Sequence, residues 1–296
     1  MEGKMVTLMA ICLVVGAGIG VGTGYFAWGS DGNGDSGVEC IAIKVDGVVP
    51  SSENVLNDTY EIQRNLILAT DGAPTGLALD FMNWILSAEG QAIVADEGFV
   101  ALTAQDYTTT SQSGELNVAG STTIQPVMVK FVEAYEAKYP GVTINVTGGG
   151  SGAGATSVMN GTADIGMLSR DLKSSESALT ATTIAKDGVV LAVDAAAGVT
   201  DLTIDQIAEI FNGDITNWSE VGGNDLEIAP IIREDGSGTR ETFDAKMAAS
   251  LGISVADFGE NMVGYSATNS TGAMLGLCKS IGGSIGYVNL GSMSDL

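Results

Sequence analysis

Along most of the chain, segments in which every second residue is apolar alternate with segments in which apolar residues recur every three or four positions. Val142–Thr147 shows the first pattern, which is typical of a half-buried strand, and Ile204–Asn212 shows the second, which is typical of an amphipathic helix. Their regular alternation predicts an α/β fold. The predicted strands cover residues 41–45, 64–69, 116–119, 142–147, 164–168, 188–193, 228–232 and 285–290. The predicted helices cover residues 75–86, 89–96, 124–138, 153–160, 204–212, 239–250 and 273–279.

The N-terminal segment has a different pattern from the rest. Met5–Trp28 is uncharged, follows Lys4 and is followed by Asp31. As a helix it would be about 36 Å long, which is enough to cross a hydrocarbon core of about 30 Å. A lysine before the run and acidic residues after it favour an N-inside orientation. We therefore expect residues 1–30 to be a transmembrane helix or, alternatively, a removed signal peptide, and the rest of the chain to be extracellular behind a tether at 31–37.

The composition excludes several classes of function. The chain has 12 basic and 36 acidic residues and a net charge of −24. This charge argues against nucleic acid and anionic membrane surfaces as partners. A small anion is still compatible with it, because surface charge is screened beyond about 8 Å whereas donors in a closed cleft act at contact range. The chain has no histidine, so it lacks the usual general base and the commonest metal ligand. We expect no enzymatic activity, no metal and no cofactor.

Three predicted strand-to-helix turns carry the candidate chemistry. They are Gly120–Thr123, Gly148–Gly152 and Arg233–Arg240, and all three are rich in glycine and hydroxyl residues. The free amides and the dipole of a helix N-terminus favour a bound anion. No Lys-Ser/Thr pair follows the glycines, which argues against a nucleotide-binding P-loop. The three turns together predict one small oxyanion held among helix ends.

Six segments taken in order resemble a known family. They are AGSTTIQP (119–126), GGGSGAG (148–154), ADIGMLSRDLK (163–173), LTIDQIAEIFNGDITNW (202–218), REDGSGTR (233–240) and IGYVNLG (285–291). As a set they are similar to the phosphate-binding receptors of Pst-type ABC importers, a branch of the periplasmic-type solute-binding proteins. The resemblance implies a two-lobed periplasmic-binding-protein-like (type II) fold, inorganic phosphate as the ligand and an ABC-importer permease as the partner.

The order of the segments differs from that of the family. KVDGVVPSSENVL (44–56) and TGLALDFMNWILSAEGQAIVADEGFVAL (75–102) resemble the family's C-terminal part but come first here. This order predicts a circular permutation, which is physically tolerable because the termini of a domain commonly lie near each other. The expected segments are 38–104 for the family's C-terminal part, 105–114 for a linker, and 115–296 for its N-terminal and middle parts. The expected lobes are about 60–104 plus 115–187, and about 188–296 plus 38–50.

The resemblance also assigns the ligand contacts. Arg233 would provide a planar fork of charge-assisted hydrogen bonds, and amides and hydroxyls would hold the other oxygens. Many family members have an aspartate in the third loop, where it accepts the proton of hydrogen phosphate. Ser169 stands there in this chain, so we expect a less sharp preference for phosphate over sulfate unless another carboxylate reaches the site. Arg170 has an alternative role as an ion-pair partner of the abundant acids. The implied ligand residues are Thr122, Thr123, Ser151, Ser169, Arg170, Arg233, Ser237, Gly238 and Thr239.

Two further expectations concern the chain ends. Cys40 and Cys278 lie in the part expected outside the cell, where disulfides persist, so they are either a disulfide or two buried thiols. The strand at 41–45 is expected to complete the second lobe beside the strand that ends near Leu290. In an alternative reading the chain is a structural surface protein that reuses the fold, donates this strand to a neighbouring chain and self-associates.

Overall fold

In the computed structural model, which describes residues 37–108, 111–263 and 266–296, strands and helices alternate as the sequence predicts. The expected membrane helix at 1–30 and the tether up to residue 36 lie outside these residues. Among the helices of the described part, none is both long and apolar enough to cross a bilayer.

All predicted strands and helices are present, and the α/β prediction is confirmed. The strands are β1 (Cys40–Ala42), β2 (Lys44–Val45), β3 (Gln63–Asp71), β4 (Gly114–Gly120), β5 (Val142–Gly148), β6 (Ile165–Leu168), β7 (Leu179–Asp194), β8 (Asp201–Leu202), β9 (Ala229–Arg233), β10 (Ser266–Thr268) and β11 (Ser284–Asn289). The helices are α1 (Ser52–Leu56), α2 (Gly76–Ile85), α3 (Ala88–Asp96), α4 (Gln125–Lys138), α5 (Ser151–Met159), α6 (Ile204–Asn212), α7 (Gly238–Leu251), α8 (Val255–Asn261) and α9 (Thr271–Cys278). The elements that were not predicted are short, except for the first half of β7.

One mixed sheet organises the described part. Its strand order is β10-β9-β11-β7-β3-β6-β4-β5, and β1 is an additional partner of β7. The first half of β7 pairs antiparallel with β3, and its last residues pair antiparallel with β11. Strand β4 is parallel to both β5 and β6, as expected for strands connected through helices. β7 is therefore common to both halves of the sheet.

The buried apolar residues form two large clusters, one in each lobe. The first contains Leu66 and Ala185 and is covered by α2, α3 and α4, whereas the second contains Ile62 and Val189 and is covered by α6, α7 and α9. The chain therefore passes between the lobes near the start of β3 and near the middle of β7. The predicted two-lobed architecture is confirmed, and the exact lobe boundaries stay a prediction.

The pairing of β1 differs from the expectation. Cys40 pairs with Asp194 and Ala42 pairs with Ala192, so β1 lies on β7 of the same chain. Since β11 also pairs with this part of β7, β1 and β11 occupy opposite edges of β7. The expectation that this strand lies beside the one that ends near Leu290 is wrong. The sequence gives no signal for which edge is taken, because both edges of β7 present the same backbone donors and acceptors.

The two ends of the described chain meet at one residue of the second lobe. The amide of Val38 donates a hydrogen bond to the carbonyl oxygen of Lys279 at 2.9 Å. The Nζ atom of the same lysine donates to the carbonyl oxygen of Asp295. The beginning of β1 and the last turn of the chain are therefore neighbours on the surface.

Candidate functional site

The three glycine-rich turns come together between the lobes. The turns at the ends of β4 and β5 lead into α4 and α5 of the first lobe, and the turn at the end of β9 leads into α7 of the second lobe. The N-termini of α5 and α7 are in direct contact, since the amide of Gly152 donates to the carbonyl oxygen of Gly236 at 3.1 Å. Two helix dipoles from different lobes therefore meet with their positive ends together, and such a junction favours an anion.

Three serine hydroxyls form a buried cluster at this junction. The Oγ atom of Ser169 accepts from Ser121 Oγ at 3.0 Å and lies 3.2 Å from Ser151 Oγ. The amide of Ser169 also donates to Ser151 Oγ at 3.0 Å. A Cβ atom on Gly238 would lie 2.4 Å from Ser151 Oγ and 2.6 Å from Ser169 Oγ. Only glycine allows the first turn of α7 to approach these hydroxyls so closely.

Two threonines and one serine extend this hydroxyl cluster across the cleft. Thr123 of the first lobe and Thr239 of the second lobe are both buried, and their Oγ1 atoms are 3.2 Å apart. Ser237 caps α7 by accepting a hydrogen bond from the amide of Arg240 at 3.3 Å, which leaves the proton of its hydroxyl free to be donated. The site therefore contains several hydroxyls that can turn toward one small anion.

Arg233 lies at the end of β9 with 2% of its surface exposed. Its Nη2 atom donates to Thr122 Oγ1 at 3.2 Å, which connects the two lobes. Its Nε and Nη2 atoms also donate to the carboxylate of Glu234 at 2.8 and 2.9 Å, and its Nη1 atom donates to Thr271 Oγ1 at 3.4 Å. The guanidinium is thus fixed in orientation, and a carboxylate that the sequence analysis did not assign lies beside the predicted anion contacts.

Arg170 is oriented toward carboxylates instead of toward the hydroxyls. Its Nη1 and Nη2 atoms donate to Glu176 at 2.7 and 2.8 Å, and its Nε atom lies 2.7 Å from a carboxylate oxygen of Glu241. Burial opposes the ionisation of Glu176, but the hydrogen bonds from Arg170 hold the pKa of Glu176 below its ordinary value. Arg170 is thus an ion-pair partner in the structure, and its role as a phosphate ligand stays a prediction. The other eight predicted ligand residues lie around the junction of the turns.

Arg64 is a charged residue of this region that the sequence analysis missed. Its Nε and Nη2 atoms donate to Asp187 Oδ2 at 3.0 and 2.7 Å, and Nη2 also donates to Thr123 Oγ1 at 3.5 Å. Asp187 is fully buried, and its Oδ1 atom accepts from the amide of Leu290 at 2.9 Å. The signal that could have revealed Arg64 is a single cation within the apolar strand pattern Ile62–Ala69. Ser121 was also missed, although it lies inside a turn that was singled out.

A cleft of about 450 Å³ opens beside the site. Four cations and three carboxylates line it. Each of the four cations is in an ion pair, and the partners of Arg64 and Arg170 include the buried carboxylates of Asp187 and Glu176. The cleft therefore concentrates charged groups without a net excess of positive charge. These charged lining residues are Glu61, Arg64, Arg170, Asp171, Lys173, Glu241 and Lys246.

The two cysteines of the described part lie together in the second lobe. Cys40 and Cys278 are both buried and both are free thiols in this structure. The hydrogen bond with Cys40, together with burial, raises the pKa of the Cys278 thiol. A disulfide between them stays a prediction.

Comparison with known proteins gives the family. The sequence model described as PBP superfamily domain matches residues 105–296, which is more than half of the chain. The chain belongs to the PBP superfamily. The match includes every predicted ligand residue of the three turns.

Several relatives within the PBP superfamily carry names that concern phosphate. The phosphate-binding protein PstS 2 of Streptococcus pneumoniae is 37% identical over 183 residues, which cover 61% of this chain and 63% of that protein. The phosphate-binding protein PstS of Bacillus subtilis is 38% identical over 135 residues, which cover 44% of this chain and 45% of that protein. This chain therefore spans less than two thirds of the length of these relatives.

Two solved structures of the same kind are similar to this one. A phosphate-binding protein of a phosphate ABC transporter from Streptococcus pneumoniae has a TM-score of 0.54 at 35% identity, over 62% of this chain and 72% of that chain. A substrate-binding protein from Clostridium perfringens, whose structure contains bound phosphate, has a TM-score of 0.54 at 38% identity, over 60% of this chain and 70% of that chain.

Proposed function

We propose that this member of the PBP superfamily is a receptor that binds inorganic phosphate between its two lobes and delivers it to the permease of an ABC importer. The observation that carries the proposal is the meeting of the N-termini of α5 and α7 with Arg233 and with hydroxyls from both lobes. Phosphate-binding names among its relatives, and a related structure with bound phosphate, support the choice of anion. The proposed role is binding and not catalysis, in agreement with relatives that are named as phosphate-binding proteins.

Each class of group would have a defined role. The amides at the helix N-termini and the hydroxyls of Thr122, Ser151 and Thr239 would donate to phosphate oxygens. Arg233 would add charge-assisted hydrogen bonds to two oxygens. Ser169 can either donate or accept, and Glu234 is the carboxylate available to accept the proton of hydrogen phosphate.

We also propose that the chain is a circular permutant with its binding domain outside the cell behind an N-terminal membrane anchor. The family match starts at residue 105, yet β3, which precedes it, lies inside the sheet between β7 and β6. The described ends meet at Lys279, so a short connection would rejoin them. Both observations support the permuted order.

The alternative of a structural protein that donates its first strand is less favoured. β1 pairs with β7 of its own chain, which supports a closed monomer. A monomeric mass in light scattering over a dilution series is expected, and concentration-dependent chains would favour the alternative.

Calorimetric titration of the full-length protein in detergent with phosphate, sulfate and arsenate tests the receptor function. We expect one phosphate to bind per chain, with sulfate binding more weakly. Absence of phosphate binding by a folded protein would refute the proposal.

A further inference from the structure

We infer that Arg64, held in place by Asp187, is a second arginine contact for the anion; this inference rests on the proposed phosphate site. Arg64 adds to the site a cation from the strands that connect the lobes, whereas each of the turns, and Arg233, belongs to a single lobe.

The position of Arg64 supports this role. It lies in β3 next to Gln63, which pairs with Gly188 of β7, at the place where both strands pass from one lobe to the other. Its Nη2 atom contacts Thr123, whose hydroxyl is in turn 3.2 Å from that of Thr239. The guanidinium therefore reaches the hydroxyls that face each other across the cleft.

The hydrogen bonds of Arg64 are incomplete. Asp187 accepts hydrogen bonds from Nε and Nη2, whereas Nη1 is buried and has no hydrogen-bond partner within the described residues. The side chain of Arg64 is 3% exposed, so bulk water does not replace the missing partner. An oxygen of a tetrahedral anion would satisfy this donor, and a guanidinium that is already paired on one edge is well suited to hydrogen bond with its other edge.

The local charges also favour an anion. Burial lowers the pKa of Arg64, Asp187 opposes this effect, and the positive charge of Arg233 adds to it. The two guanidiniums contact adjacent residues, Arg64 at Thr123 and Arg233 at Thr122. An anion that contacts both would therefore replace repulsion between the two charges by attraction. Asp187 keeps the buried cation paired when no anion is bound and fixes the orientation of its fork.

A double variant separates anion binding from the structural role of the ion pair. Arg64→Gln/Asp187→Asn removes both charges but keeps two amide side chains, one of which can still accept from the amide of Leu290. Lys138→Gln/Glu89→Gln is the control, because it also removes one ion pair and lies on the surface at the C-terminal end of α4, away from the hydroxyl cluster. Each full-length variant is titrated with inorganic phosphate in a calorimeter, and its fold is checked by circular dichroism.

We expect the Arg64/Asp187 variant to lose at least about tenfold in phosphate affinity and the control variant to remain within about threefold of the native protein. The inference is overturned if the Arg64/Asp187 variant is folded and binds phosphate within threefold of the native protein.

If that variant does not fold, the phosphate affinity of Arg64→Lys is the deciding measurement. Lysine keeps the charge beside Asp187 but lacks the guanidinium edge that carries Nη1. A tenfold loss of phosphate affinity therefore supports the inference, and native affinity overturns it. If the native protein itself binds no phosphate, the proposed function fails first, and this outcome is distinct from the others.

Discussion

Replacement of Arg233 by alanine is expected to remove most of the phosphate affinity. In the structure this side chain is almost completely buried, and it is the only cation that connects β9 of the second lobe with the first turn of the first lobe within the described residues, through Thr122. Alanine would remove that connection together with the charged donors that the proposed site directs at phosphate.

The size of the effect follows from the surroundings of the guanidinium. Truncation of one member of a buried, hydrogen-bonded charge pair costs about 2–5 kcal/mol, which corresponds to about a 30-fold to a 5,000-fold rise in the dissociation constant. We expect the upper half of this range, because Glu234 would lose its partner and its negative charge would face the bound anion. The phosphate affinity of Arg233→Lys should lie between that of the native protein and that of Arg233→Ala, since lysine keeps the charge but not the planar fork.

The assay is calorimetric titration of phosphate into the native protein and each variant, with thermal unfolding as the check of the fold. Lys138→Ala is the control for the loss of one positive charge. Lys138 lies at the C-terminal end of α4, about 20 Å along the helix from the end at the proposed site, and pairs with Glu89 on the surface. Native phosphate affinity in a folded Arg233→Ala protein would refute the reasoning.

Three more predictions test other parts of the site. Gly238→Ala should cost about 1–3 kcal/mol of stability and weaken phosphate binding, because its Cβ would lie 2.4 Å from a serine hydroxyl. Gly276→Ala, inside α9 and with open space around it, should leave phosphate binding unchanged and should not lower the thermal stability. A similar effect of both changes would contradict this packing argument. Glu234→Gln should let sulfate compete better with phosphate in titrations at two pH values, since a carboxylate repels the fully ionised anion and accepts the proton of hydrogen phosphate; an unchanged ratio would show that the acceptor lies elsewhere. Burial raises the pKa of Asp244 from 3.8 to about 6, so the free energy of unfolding of the native protein falls as the pH rises from about 4 to about 6. The free energy of unfolding of Asp244→Asn, measured with urea, should therefore rise by about 1–3 kcal/mol relative to that of the native protein across this pH range. If the difference between the two free energies does not change with pH, this assignment is wrong.

The local elements and the turns could be predicted from the sequence because their signals are local. The glycines and hydroxyls of the three turns stand next to strongly periodic helices, and so most of the candidate ligands were found. Arg64 could not be assigned in the same way. Its role depends on Asp187 and Thr123, which are distant in the sequence and meet it only in the folded sheet.

Two other differences between the sequence prediction and the structure also arise from contacts that are distant in the sequence. The first half of β7, Leu179–Asp187, mixes polar and apolar residues, and it becomes a strand because β3 pairs along its whole length. The edge of β7 that β1 occupies is likewise decided by the rest of the sheet. Such choices depend on long-range pairing and not on local propensity.

The central place of β3 has a consequence for how the chain folds during synthesis. β3 is made early, but its partners β6 and β7 follow roughly a hundred residues later. The apolar segment Leu66–Ala69 must therefore leave the ribosome without a strand to pair with. Contacts of such long sequence separation slow folding, so this order of segments leaves the apolar strand β3 exposed until β6 and β7 have been made. An order in which β3 was made last would bring it to a sheet that already had both of its neighbours.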